Sequence, residues 1–410
     1  MRPFQEALEI VLGQVRPLQK VESVPLTAAY GRVLAMDIAA REDIPVADNS
    51  AMDGYAVRTA DLPDEASCHE RPLRVVEVLA ADHLASSALK PGEAMKIMTG
   101  APIPPGADAV VMVEHTRLEG ERVWIGKPPR EGNHIRVAGG DMRKGEIALV
   151  KGTRLTPATV GMMAALGYAD VPVLRAPQVG ILATGDEIVE PTAPLTPGRV
   201  RNSNSYSLAG LVSQAGAVPH LMGIAPDSEE SLKTSLQAGL AEHDVLITSG
   251  GVSMGDFDYV KRLVDEVGLK VHFRTINMKP GKPVVFGTRG AKLFFGLPGN
   301  PVSSMVVFLQ LVRPALMKAM QQPDLGFRTL QAPIAEPFSK TDGKRHFLRG
   351  VLHPGPEGAL QVRLTGDQGS GLLHSMGRAN CFVVIAEDTQ RIEAGDAVTV
   401  QLFEGEPLPA

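Results

Sequence analysis

Short segments of this chain gather the residue types that bind and transfer charged groups. T-G-D-E at 184–187 carries Asp186 and Glu187, and A-P-D-S contributes Asp227. S-G-G-V-S-M-G-D at 249–256 begins with Ser249, Gly250 and Gly251, ends on Asp256 and is followed closely by Asp258. G-L-P-G-N-P at 296–301 sets Pro298, Gly299, Asn300 and Pro301 in a row. Glycine lets a backbone approach a ligand closely, and the N–H groups that open a following helix favour negative charge, so these loops suit a phosphate-bearing ligand. Carboxylates beside phosphates need a cation between them, and Mg²⁺ shared by one or two carboxylates and phosphate oxygens is the usual solution. Helix capping is the competing role for Asp227 and Asp256. M-K-P-G-K-P at 278–283 presents Lys279 and Lys282 from a proline-stiffened turn. That turn suits an oxyanion; its plainer reading is a solvated basic turn.

Two further patterns point elsewhere. G-V-S-M-G at 251–255 matches the nucleophile elbow of serine hydrolases at Ser253, and acids and histidines follow in the order such an enzyme needs: Asp265 or Asp324, then His346, His353 or His374. The added glycine and the two aspartates of that loop argue against it, since an elbow does not require them. D-N-S-A-M-D-G-Y-A at 48–56 places Asp48 and Asp53 near polar partners, and Thr99, Arg136 and Asp141 follow in comparable turns. There is neither a Walker A loop nor a G-x-G-x-x-G fingerprint, which removes support for ordinary nucleotide triphosphatases and dinucleotide dehydrogenases.

The elements that must hold these residues follow from periodicity. Apolar residues at Phe4, Ala7, Leu8, Ile10, Val11 and Val15 predict an amphipathic helix over 3–16. From about 41 to 150, short β-like runs (73–79, 107–113, 122–126, 146–150) separated by Gly/Pro turns predict a β-rich module. A helix follows at 156–167 and is expected to pack with the segment before residue 41, making the β-rich module an insertion. Between 178 and 320 strands and helices alternate, and V-G-I-L-A and V-L-I-T read as strands covered on both faces, so a mostly parallel sheet is expected. Ligands then bind beyond the carboxyl ends of the strands, where the Gly-rich loops lie. From 328 onward the pattern is β, with no helix expected. The fold class is therefore multidomain α/β. The expected partition is a helical linking domain (1–40 and 145–176), an inserted β-rich domain (41–144), an α/β domain (177–327) and a C-terminal β-barrel-like domain (328–410).

Composition agrees. At 410 residues the chain is too long for one core, and 44% hydrophobic with 21% charged residues excludes a disordered protein. A net charge of -5 creates no global attraction for nucleic acid or an anionic membrane, so anions must be bound locally. Cys68 and Cys381 are too few for a disulfide framework or a zinc site. No apolar h-region opens the sequence and no long uninterrupted apolar run is seen, so neither a signal peptide nor a membrane span is expected, and the protein is expected to be cytoplasmic.

The motifs taken together resemble the molybdopterin molybdenumtransferase family, the MoeA-type bacterial proteins and the E domain of gephyrin. The resemblance rests on D-N-S-A-M-D-G-Y-A, I-M-T-G-A-P-I-P, G-D-M-R-K-G, T-G-D-E, T-S-G-G-V-S-M-G-D-F-D-Y, M-K-P-G-K-P, G-L-P-G-N-P-V-S and T-G-D-Q-G-S, which run in order through nearly the whole chain. It implies four domains, a homodimer, an α/β unit like the molybdopterin adenylyltransferase fold, and insertion of molybdenum from molybdate into adenylylated molybdopterin with Mg²⁺-dependent release of AMP. It implies that Asp186, Glu187, Asp227, Asp256 and Asp258, with Ser249, Gly250 and Gly251, hold the pterin nucleotide or its Mg²⁺, and that Pro298 to Pro301 belong to the same cradle. Lys279, Lys282 and Ser303, with Arg349 and Ser370 from the C-terminal domain, are implied at the molybdate and dithiolene end. Asp53, Thr99, Arg136 and Asp141 are carried over as functional positions of the inserted module, expected to reach a partner subunit's cleft. Molybdopterin adenylyltransferase and molybdoenzyme maturation factors are the implied partners. One departure is Thr275, where some relatives carry a further lysine; only Arg274 lies close. The family also admits a non-catalytic scaffold, which together with the serine hydrolase is the alternative to the transferase.

Overall fold

A computed structural model describes residues 1–251, 259–322, 324–355 and 358–403. Asp256, Asp258 and Ser253 therefore lie outside the described residues. Contacts divide the chain into a larger unit (1–35, 152–156 and 171–410) and a smaller one (36–151 and 157–170). The four-domain partition read from sequence is finer than this division. The amphipathic N-terminal helix forms as expected, as α1 (Phe4–Gln14), and buries Phe4, Ala7 and Val11 in the core of the larger unit.

The smaller unit is built on a six-stranded sheet. Its strands are β1 (Gly54–Val57), β2 (Leu73–Leu79), β3 (Glu93–Ile97), β4 (Ala109–Met112), β5 (Thr116–Glu119) and β6 (Arg122–Ile125), in the order β4-β1-β3-β2-β6-β5. Alternation sends Tyr55 and Val57 into one core and Ala56 into the other, so the sheet is covered on both faces. A short helix, Glu65–Glu70, was not anticipated; a capping box between Asp64 and Ser67 holds its first turn. Helix α2 (Pro157–Ala165) groups with residues 36–151 rather than with 1–35, and Tyr168 just beyond it donates to the Ala39 carbonyl at 2.9 Å.

The larger unit centres on β7 (Gln178–Thr184), α3 (Asn204–Gln214), β8 (Val218–Ala225), α4 (Glu229–Glu242), β9 (Val245–Ser249), α5 (Tyr259–Glu266), β10 (Lys270–Thr275), β11 (Met278–Lys279), β12 (Pro283–Arg289) and β13 (Lys292–Leu297). Six of these strands form a sheet ordered β8-β7-β9-β13-β12-β10. The ladders β8/β7, β7/β9 and β9/β13 are parallel, and the hairpin β12/β13 and the edge β10/β12 are antiparallel. Val245 and Ile247 face a core shared with α1, α3 and the long helix after β13, while Leu246 faces the core under α4 and α5. Each such buried side chain stabilises the fold by about 1.5–3 kcal/mol, which is why continuous apolar runs here encode strands. The long helix comprises α6 (Pro301–Val307), a π turn (Phe308–Val312) and α7 (Arg313–Ala319). Over Pro301–Ala319 it is apolar and long enough to pass as a membrane span by length and composition, yet nearly all of it is buried inside the fold.

The C-terminal β region contains β14 (Thr329–Pro333), β15 (Arg345–Pro354), β16 (Leu360–Leu364), β17 (Cys381–Ile385) and β18 (Ala397–Leu402), around a core that includes Leu348, Val362 and Val383. Its sheet runs β11-β15-β17-β18-β14, with β16 also on β15. The edge strand β11 comes from the α/β segment and pairs parallel with β15. The lysine turn is thereby stitched to the C-terminal sheet on one side and enters β12 of the parallel sheet on the other. Where no helix was expected, one forms as α8 (Leu373–Gly377); at 5 residues it is too short to show a helical period.

Candidate functional site

The carboxyl ends of β7, β9 and β13 open into a cleft of about 1380 Å³, walled on its other side by the lysine turn and by the 338–349 and 367–371 segments. All of it lies within the larger unit. A cleft this size takes a ligand larger than a typical small molecule, for which about 300–1000 Å³ suffices.

The first wall is made by the Gly-rich exits. After β7, Glu187 lines the cleft. Asp186 is not among its lining residues: the Asp227 N–H donates to its Oδ1 at 3.0 Å, and the Asp186 N–H donates in return to Asp227 Oδ2 at 3.3 Å. This reciprocal pair ties the β7 and β8 exits together. The capping role for Asp227 is filled by its neighbour Ser228, whose hydroxyl accepts from the Ser231 N–H at 3.4 Å. After β9, Ser249 is buried and Gly250 and Gly251 have φ of 105° and 69°. A Cβ on Gly250 would lie 2.6 Å from the Thr184 carbonyl oxygen, so only glycine lets these two exits close on each other. After β13, Pro298, Gly299, Asn300 and Pro301 line the cleft, and Pro301 opens α6. Ser303, in the first turn of α6, is buried and also lines it.

The second wall is basic. Lys279 and Lys282 both line the cleft and are exposed at their tips. Gly281 between them has φ of 103°, and a Cβ there would fall 2.4 Å from Val307, so the turn is seated directly on α6. Arg349 lines the cleft from β15 but is fully buried, with Nε donating to Ser375 Oγ at 3.1 Å and Nη2 to the Gly369 carbonyl at 3.1 Å. Its Nη1 has no hydrogen-bond partner among the described residues. Burial lowers its pKa to about 10, which still leaves it cationic at neutral pH. Ser370 joins the two walls: its Oγ accepts from Asn300 Nδ2 at 3.0 Å and its carbonyl from the Val302 N–H at 3.1 Å. A direct contact thus ties the 367–371 segment to the start of α6.

Beside Lys279 stand Asp342, Lys344 and Lys340, which sequence reading missed, and His346, which it named only for the hydrolase alternative. Asp342 Oδ2 lies 3.6 Å from Lys279 Nζ and 3.1 Å from Lys344 Nζ, and its Oδ1 meets His346 Nε2 at 2.9 Å. Burial pushes the Asp342 carboxyl up, but the hydrogen bonds from His346 and Lys344 outweigh it and hold the group below the usual carboxylate range. For His346 burial dominates over the Asp342 hydrogen bond, so its pKa falls below the usual value. Lys340 is buried and lowered by that burial; its Nζ donates to the carbonyls of Lys344 and Glu387. The segment S-K-T-D-G-K-R-H at 339–346 carried a visible cluster of titratable residues, but nothing local showed that they line a cleft. Arg274, weighed as a substitute for the absent lysine, pairs with Asp265 at 2.7 Å and is not among the cleft's lining residues. The same pairing engages one acid that the hydrolase reading would use.

In the smaller unit, Asp53 Oδ1 accepts from the Thr99 N–H at 2.7 Å and from its hydroxyl at 2.8 Å, and these bonds, the backbone one first, lower the Asp53 pKa. Arg136 sits on a two-residue strand paired with Asn49–Ser50, and Asp141 follows in an exposed turn. Asp48 serves that turn structurally, its Oδ1 accepting from the Ala138 N–H at 2.7 Å.

Comparison with known proteins matches this architecture along its length. Residues 2–167 match the MoeA N-terminal region (domain I and II), 180–318 a probable molybdopterin binding domain, and 331–403 the MoeA C-terminal region (domain IV). The molybdopterin molybdenumtransferase of Haemophilus influenzae is 36% identical over 405 residues, 98% of this chain and 99% of that protein. The chain belongs to the molybdopterin molybdenumtransferase family. The enzyme of that name from Bacillus subtilis is 36% identical over 393 residues, covering 94% of this chain and 91% of its own. The crystal structure of the molybdopterin biosynthesis moeA protein from Pyrococcus horikoshii OT3 superposes with a TM-score of 0.82 at 32% identity, over 98% of this chain and 100% of that one. The resemblance read from motifs and the multidomain α/β fold class are thus both established, and within this family of enzymes the cleft is the place to seek the chemistry.

Proposed function

We propose that this chain inserts molybdenum from molybdate into adenylylated molybdopterin, with release of AMP. The observation that carries the reading is that one cleft has two unlike walls: Gly-rich strand exits with carboxylates on one side, and two lysines and a buried arginine on the other. A pterin dinucleotide needs the first wall for its phosphates, and molybdate, a tetrahedral dianion, needs the second. Backbone N–H groups at the loops after β9 and β13 would orient the pyrophosphate, and Lys279, Lys282 and Ser303 would hold the oxyanion beside the dithiolene sulfurs. Arg349 adds fixed positive charge from a site where water cannot screen it. The P–O bond to the pterin phosphate breaks as a water or a molybdate oxygen attacks the adenylyl phosphorus, and AMP leaves with the added oxygen; two Mo–S bonds form as the dithiol gives up its two protons and molybdate gives up one oxygen, as water or on AMP.

Mg²⁺ fits the first wall. Glu187 and Asp227 both line it, and two hard carboxylates completed by phosphate oxygens are the coordination that ion prefers. When bound, the ion would neutralise charge building on the pyrophosphate. Homodimer formation, and hand-over from the adenylyltransferase that makes the substrate, belong to the same proposal. The purified chain, given adenylylated molybdopterin, molybdate and Mg²⁺, should release AMP and retain molybdenum on the pterin; AMP release with no molybdenum transfer would refute the assignment.

A further inference from the structure

Asn204 was not singled out by any motif, yet it is the side chain that joins the two Gly-rich exits on the first wall. It opens α3, lines the cleft and is only 8% exposed. Its Nδ2 donates to Ser249 Oγ at 2.7 Å and to the Gly299 carbonyl at 2.8 Å. Ser249 is the last residue of β9, and Gly299 stands just past the end of β13. The parallel ladder between these strands ends at the pair Ser249/Leu297, and beyond it the Gly250 N–H still reaches the Leu297 carbonyl at 3.1 Å. Further out, the Asn204 amide spans both loops with one N–H to each. The turn that carries it is steadied by Asn202, whose Oδ1 accepts from the N–H of Ser205, the residue after Asn204, at 3.2 Å. The Asn204 Oδ1 is buried without a hydrogen-bond partner among the described residues, a condition that native proteins retain at few positions and for a reason.

We propose that Asn204 is a positioning residue for the pterin nucleotide: it fixes the spacing of the loops at 249–251 and 298–301, so that they meet the substrate's phosphates as one preformed cradle. The inference rests on the function proposed above. Without the amide, the loops keep the Gly250–Leu297 and Asn300–Ser370 bonds but lose the tie between their tips, and binding must then supply that part of the ordering. The amide's two bonds go to Ser249 and Gly299 and to neither lysine of the turn, so the molybdate end should be affected less than the phosphate end.

The test uses the full chain as wild type, Asn204→Ala and Asn204→Asp, with AMP plus Mg²⁺ titrated by calorimetry and KM measured for each substrate. Asn204→Ala should weaken AMP about tenfold or more and raise KM for adenylylated molybdopterin in step, with the molybdate KM within about twofold of wild type. Asn204→Asp can still accept from the Ser249 hydroxyl but cannot donate to the Gly299 carbonyl and adds negative charge beside the phosphates, so it should weaken AMP at least as much as alanine. Unchanged AMP affinity, or equal rises in both KM values, overturns the proposal. If circular dichroism shows that Asn204→Ala does not fold, Asn204→Asp decides, and wild-type AMP affinity in that variant overturns it. AMP binding is read without turnover: a chain that binds AMP through Asn204 but transfers no molybdenum refutes the proposed function and supports this inference. A chain that transfers molybdenum normally with alanine at 204 does the reverse.

Discussion

Lys279 and Lys282 leave the same short turn, and Lys279 stands within ion-pair distance of Asp342. Both tips are exposed, so removing either charge should leave the fold intact while stripping the oxyanion wall. Lys279→Ala or Lys282→Ala is expected to lower kcat/KM for molybdenum transfer by about 10²–10³-fold, the scale of losing one preorganised electrostatic contact, with an unchanged thermal midpoint. Wild-type turnover in both variants would remove the lysines from the site. The neighbouring pair predicts an acid response. His346 has its pKa depressed below 6.5 by burial, so the unfolded chain takes up that proton first and stability should fall as pH drops through 6.5. Asp342 is depressed below 3.8, so its contribution is intact above that value and lost on further acidification. Urea unfolding from pH 7 to pH 4 should show the first decline, and His346→Gln should reduce it, leaving the part due to His272, whose pKa burial also lowers; a flat wild-type profile contradicts the assignment.

Among the elements, the strand exits are shaped by glycines whose backbone no other residue adopts easily. Gly250→Ala puts a Cβ against the Thr184 carbonyl at positive φ and should cost about 1–3 kcal/mol in a denaturant titration, with loss of AMP binding. Stability and affinity equal to wild type would mean that the loop closes differently. These elements were legible beforehand: β7 spans Gln178–Thr184 as the sequence pattern predicts, because a strand buried on both faces must be apolar at every step. Asn204, Asp342 and Arg349 show where legibility stopped. Asn204 and its acceptors lie 45 and 95 residues apart, and no local period encodes such a contact. Arg349 was reached only through family resemblance; its burial depends on β15 meeting the 369–375 segment. The turn of α8 and the helix at Glu65–Glu70 are too short for periodicity to reveal.

At the scale of the molecule, the basic wall combines the lysine turn of the α/β segment with Arg349 of the C-terminal β region, the carboxylate wall belongs to the parallel sheet, and β11 and Ser370 join them. The net charge of -5 thus conceals a cleft with a concentrated positive side. The proposed homodimer predicts a sedimentation mass twice the 43.6 kDa of one chain, and a monomer at micromolar concentration would contradict it. The central claim concerns what the two walls do together. Its most direct measurement is single-turnover incubation of the purified chain with adenylylated molybdopterin and Mg²⁺, with and without molybdate, following AMP and pterin-bound molybdenum. The account predicts that the two appear together and in equal amounts when molybdate is present. Absence of both, with fluorophosphonate labelling at Ser253, would contradict it.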